Sequence, residues 1–213
     1  MSRLINNRPE SGNRRVFPLS LFFLSLVLSL LHLPAAHAQT DPRAAALIKA
    51  ARAQIGVTRV YDGAYTRLAY PNGDVAPERG VCSDVVIRAY RQAFGHDLQQ
   101  ALHQDMKKSF SAYPRHWGLK KPDPNIDHRR VPNLQTFFTR QGAKLQNSAT
   151  QDYRPGDLVT QTIAERLPHI LIVSDKRSTD GQRYLVIHNI GAGAREEDRL
   201  FEFPITGHFR YFP

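Results

Sequence analysis

The chain has 213 residues, 29 Lys and Arg against 19 Asp and Glu, a formal net charge of +10, and one cysteine, Cys82. A single cysteine excludes an internal disulfide framework and a Cys-rich zinc site. The basic excess favours an anionic partner, but its charges are scattered, with no aromatic-basic ladder or helix-turn-helix pattern, which argues against nucleic acid.

Residues 1–38 read as an export signal. Arg14 and Arg15 close a basic segment, an apolar run extends from Val16 to about Leu33, and Ala36-His37-Ala38 supplies a cleavage site. The apolar run reaches the lower limit for a membrane span, but Pro34 and the cleavage motif favour removal, so no stable span is expected afterwards. The expected location is the periplasm or cell envelope. Residues 39–213 would then form a single domain of 175 residues with 25 basic and 18 acidic side chains, large enough for its own core.

Asp41 or Thr40 can cap a first helix, with Pro42 in its first turn and Gly56 stopping it after about Ile55. Val60 to Pro77 is rich in Tyr, Gly, Asn and Pro and reads as strand-like pieces and turns, Pro71-Asn72-Gly73-Asp74 being the clearest turn. From Cys82 to about Phe94 apolar residues recur at helical spacing, and Gly95 ends that helix. Leu98–Phe110 looks helical, Tyr113–Pro132 reads as an ordered, proline-rich surface loop, and Val131–Arg140 as a short helix. After Pro155-Gly156 the pattern turns to strands: Asp157–Ile163, His169–Asp175, Arg183–Asn189 and a last one around His208–Phe212. Asp180-Gly181 marks a hairpin between the second and third. Helices first and antiparallel strands afterwards predict an α+β fold, the Cys-bearing helix packing on a C-terminal antiparallel sheet.

Cys82 falls where a turn gives way to a helix. A thiol attacks a carbonyl only as thiolate, and the positive end of a helix dipole with its unpaired N–H groups would lower the thiol pKa and receive an oxyanion. His169, at the head of an apolar strand, supplies a general base. A third group should hold its imidazole; His188 and Asn189 both end the next strand, and alternation lets only one of them point at His169. A cysteine at a helix start is more often a small buried hydrophobe, so these features alone leave catalysis the minority case.

Asp123, Asp127, His128 and His103 lack metal-ligand spacing, so neither metal nor other cofactor is expected. Asn125-Ile126-Asp127-His128-Arg129-Arg130 is dense in donors. It either binds an anionic substrate group or pins its loop, and pinning is the favoured reading. Asp84 is either a second acid near the thiol or a first-turn stabiliser of the helix. Tyr61, Asp84, His128 and Arg129 are the candidate substrate contacts. Gly191-Ala192-Gly193 follows a strand with no helix after it, unlike a phosphate loop.

The strings Tyr70-Pro71-Asn72-Gly73-Asp74, Gly80 to Arg91, Asn125 to Leu134 and His188-Asn189-Ile190-Gly191 resemble the DUF1287 family of uncharacterised exported bacterial proteins. That resemblance spans nearly all of the mature chain and brings no activity with it. A more distant likeness does. Cys82 opening a helix, then Pro155-Gly156-Asp157-Leu158-Val159, His169-Ile170-Leu171-Ile172-Val173 and Val186-Ile187-His188 follow the motif order of NlpC/P60 cell-wall peptidases. This implies a papain-like fold with Cys82 as nucleophile, His169 as base and His188 as orienter, cutting amide bonds in peptidoglycan stem peptides. Two departures stand out: Val81-Cys82-Ser83-Asp84 replaces the usual Asp-Cys-Ser-Gly, and residues 96–145 look like a long insertion. A non-catalytic envelope module that binds cell-wall peptides in the same groove, and a thiol acyltransferase or esterase, are the alternatives.

Overall fold

The computed structural model describes residues 41–147 and 152–213; the expected leader lies outside them. The first helix, α1 (Pro42–Arg52), begins as the sequence predicts, with the Asp41 carboxylate accepting from the Arg43 N–H and Pro42 in the first turn. It ends three residues early, because Gln54 and Ile55 bond back by only three residues, to Ala51 and Arg52. A parallel pair of two-residue strands, β1 (Val60–Tyr61) and β2 (Arg79–Gly80), brackets the loop between them. Helix α2 (Cys82–Phe94) keeps its predicted bounds and closes on Gly95 at φ +64°. Helices α3 (Leu98–Ser109) and α4 (Val131–Arg140) follow, separated by the 110–130 segment with its two 3-10 turns.

Six strands form one antiparallel sheet in the order β3-β8-β4-β5-β6-β7. They are β3 (Lys144–Leu145), β4 (Leu158–Ile163), β5 (Leu167–Arg177), β6 (Tyr184–Asn189), β7 (Ala194–Glu197) and β8 (Ile205–Phe209). The β5–β6 turn lies at Asp180-Gly181, as the sequence predicts. The last strand runs earlier than expected, because Leu158–Gln161 of β4 pair with Phe209–Ile205.

Alternation along β5 builds two apolar layers. Ile170 and Ile172 join Leu158, Ile187 and Phe209 in a core shared with α1, α2 and α4. Leu171 and Val173 join Val159, Val186 and Leu200 in a smaller cluster on the other face. α2 is therefore held between α1 and the sheet with every residue from Cys82 to Ile87 buried. Gly156 makes the close approach of α1 possible: at φ +87° a Cβ there would meet the Ala44 Cβ at 2.7 Å.

Candidate functional site

The site is assembled around the first turn of α2. Val81 caps that helix with no side-chain acceptor of its own. Asp84 instead reaches back, its Oδ2 accepting the Val81 N–H at 2.6 Å. The same carboxylate forms a bidentate ion pair with Arg129, Nε to Oδ1 at 2.9 Å and Nη2 to Oδ2 at 2.8 Å, both side chains almost fully buried. Arg129 also donates to the carbonyls of Asp62 and Ala64, and Ser83 Oγ donates to the carbonyl of Arg129. One buried pair thus ties the start of α2, the 62–64 loop and the 127–129 turn together. Asp84 and Arg129, expected as substrate contacts, spend their polar atoms on the protein itself, though Arg129 also lines the cleft beside Cys82. His128 is buried as well, and burial moves its pKa down to about 4. Asn125 bonds Tyr65, Asp123 and the Leu68 N–H, so this loop is pinned, the favoured of the two readings.

Cys82 lines a cleft of about 240 Å³ together with Tyr61, Val81, Trp117, Ile126, Arg130 and Pro168. Trp117, Ile126 and Arg130 come from the 96–145 segment, which therefore builds one wall. Arg130 stacks on Trp117 at 4.1 Å from the ring centroid and pairs with Asp127 at 2.9 Å.

The backbone amide of Ile170, the residue after His169, favours the thiolate form of Cys82. Burial nevertheless pushes the thiol pKa up to about 11, so the lowering expected from the helix N-terminus is outweighed. His169 Nε2 lies 2.8 Å from His188 Nδ1, both rings buried between β5 and β6. Loss of hydration is the main cause that moves His169 down to about 3 and His188 down to about 4. Asn189, the other candidate orienter, points elsewhere: its Nδ2 donates to the carbonyl of Gly80, two residues before Cys82. By strand alternation His169 lies on the Leu171 side of β5, and among the described residues no side-chain hydrogen bond joins it to Cys82. Among those residues, too, no group of three or more His, Cys, Asp or Glu is arranged to hold a metal.

Residues 48–211 match the domain of unknown function DUF1287. The chain belongs to the DUF1287 family. A curated relative from Escherichia coli (strain K12), the uncharacterised protein YijF, is 55% identical over 168 residues, spanning 78% of this chain and 81% of its own. The DUF1287 match includes all of the cleft residues above, the Asp84–Arg129 pair and both buried histidines. Glu197, whose carboxylate lies 3.8 Å from His188 Nε2, also falls within it. Sequence reasoning missed Glu197 because it sits in Arg195-Glu196-Glu197-Asp198, a charged run with no motif or strand periodicity.

Proposed function

We propose that this DUF1287 protein is an exported thiol hydrolase of papain-like, NlpC/P60 type that cleaves an amide bond in cell-wall peptides. The observation that carries the reading is the His169–His188 pair. With Nε2 of His169 committed to His188, its Nδ1 is the ring nitrogen left to take a proton from Cys82. At rest His169 lies on the Leu171 face of β5 while Cys82 packs with Ile170 on the other, so the ring has to turn for the transfer. The chemistry follows the ordinary thiol route. Cys82 sulfur attacks the carbonyl as its proton passes to His169, and the Cys82 backbone N–H helps hold the oxyanion. His169 then protonates the departing amine, leaving a thioester. Water, deprotonated by His169, releases the acid and restores the thiol. The transfer from Cys82 therefore requires a conformational change that brings His169 to the Cys82 face, and substrate in the cleft would have to favour that state. The test is cleavage of purified muropeptides: the wild-type protein should release new amines and Cys82→Ala should not, with its circular dichroism unchanged. Equal cleavage by both proteins would exclude this mechanism.

A second reading has its own support. Cys82 is only 3% exposed and its thiol is held protonated, as in a scaffold that binds cell-wall peptides without cutting them. In that case peptide binding would survive Cys82→Ala and no product would form.

A further inference from the structure

The Nε2 of His188 is fully buried and has no hydrogen-bond partner within bonding distance, an arrangement that normally costs free energy. It faces the Oε2 of Glu197 at 3.8 Å, with the imidazole 1% and the carboxylate 23% exposed. Glu197 is anchored from outside by two arginines, Arg199 Nε at 2.6 Å and Arg195 Nη1 at 3.5 Å. These hold it on the β7 side of His188.

We infer that Glu197 is a positioning residue: its carboxylate draws the Nε2–H of His188 toward itself, which fixes the tautomers of both histidines and leaves the Nδ1 of His169 as a lone pair. The argument is one of proton counting. A neutral imidazole carries one N–H, so only one partner of the 2.8 Å His169–His188 contact donates. If His188 holds its proton on Nε2, facing Glu197, its Nδ1 must accept, and His169 must donate from Nε2. The Nδ1 of His169 is then unprotonated and able to act as a base. If His188 held its proton on Nδ1 instead, His169 would accept at Nε2 and carry its own proton on Nδ1. It would then have nothing with which to deprotonate Cys82. An acceptor at Glu197 selects the first arrangement, as the buried aspartate does in a Ser-His-Asp triad. No bond is made or broken and no proton leaves His188.

The catalytic meaning of this inference rests on the Cys82–His169 reading, but the tautomers do not. Long-range 1H–15N NMR of the full chain at pH 7 reads them without any substrate. Both His169 and His188 should be Nε2–H in the wild type. Glu197→Ala should add a second, Nδ1–H population, and Glu197→Gln, whose carbonyl still accepts, should restore the first. In parallel, the neutral-pH alkylation rate of Cys82 with iodoacetamide should fall by about tenfold in Glu197→Ala, short of the ~10²–10⁴ that removal of a general base costs, and recover in Glu197→Gln. An Nδ1–H His188 in the wild type overturns the inference even if the variants do not fold, as do unchanged tautomers in a folded Glu197→Ala. Loss of the hydrolase reading would show instead as a Cys82→Ala protein that still cleaves, with the wild-type tautomers as stated.

Discussion

At the scale of single residues, Cys82 and His169 enter any reaction uncharged. Burial moves the thiol up to about 11 and the imidazole down to about 3, so thiol and neutral imidazole coexist over the whole range between. This differs from a preformed thiolate–imidazolium pair, in which a cationic neighbour holds the thiolate at neutral pH. The difference can be read from the pH dependence of Cys82 alkylation. If His169 takes the proton, the rate should show a pH-independent floor through neutrality. That floor should lie well below the limiting rate reached above about pH 11. His169→Ala should remove it and leave a climb of about tenfold per pH unit, the response of an unassisted thiol. A wild-type floor as high as the limiting rate would sink the neutral pair. No floor at all would favour the peptide-binding reading.

At the scale of elements, the first turn of α2 depends on a partner from the 127–129 turn. Asp84 is desolvated and its carboxylate is matched by Arg129 across two hydrogen bonds. Removing one member of such a pair leaves a buried charge without compensation and costs about 3–5 kcal/mol. Arg129→Met should therefore lower urea stability by that order, and Asp84→Asn in the same chain should restore part of it. A loss below about 1 kcal/mol in Arg129→Met would show that the pair does not hold the cleft together. What the sequence could disclose follows the same physics. α2 was legible because its apolar spacing and Gly95 are local signals, and β4 to β6 because their strands are apolar and bounded by turns. The sheet edges were not. β3 has two residues and β7 reads Ala-Arg-Glu-Glu. Short or charged edge strands exist through pairing with a neighbour rather than through their own propensity. Glu197 went unseen for that reason. Asp84 and Arg129 were noticed as polar side chains near the thiol, but 45 residues of sequence separation hid that each neutralises the other.

At the scale of the whole molecule, three of the four buried histidines among the described residues, His128, His169 and His188, are held neutral by burial, and their joint consequence is acid lability. His128 and His188 are moved down to about 4 and His169 to about 3, burial being the first cause in each. In the unfolded chain each would titrate near 6.5. Between that value and the folded one the unfolded chain binds more protons, so acid favours unfolding. The stabilisation is complete above about pH 6.5 and is lost as pH falls toward 4 and then 3. Each histidine contributes a slope of up to about 1.4 kcal/mol per pH unit. Asp127 works the other way: burial raises its pKa, so acid favours its folded form as pH falls through the range just above the usual carboxylate value. The histidines therefore dominate between pH 6.5 and 5. Urea midpoints measured at half-unit intervals should be flat above pH 7 and fall steadily below 6.5, with His96 and His103, also moved down by burial, adding to the slope of the three. His128→Gln lies outside the cleft and removes one of the three, so it should reduce that slope by about one proton without altering Cys82 alkylation. A wild-type midpoint unchanged from pH 7 to pH 5 would mean that the histidines are not buried neutral, and with them would go the uncharged state of the His169–His188 pair on which the base at Nδ1 depends.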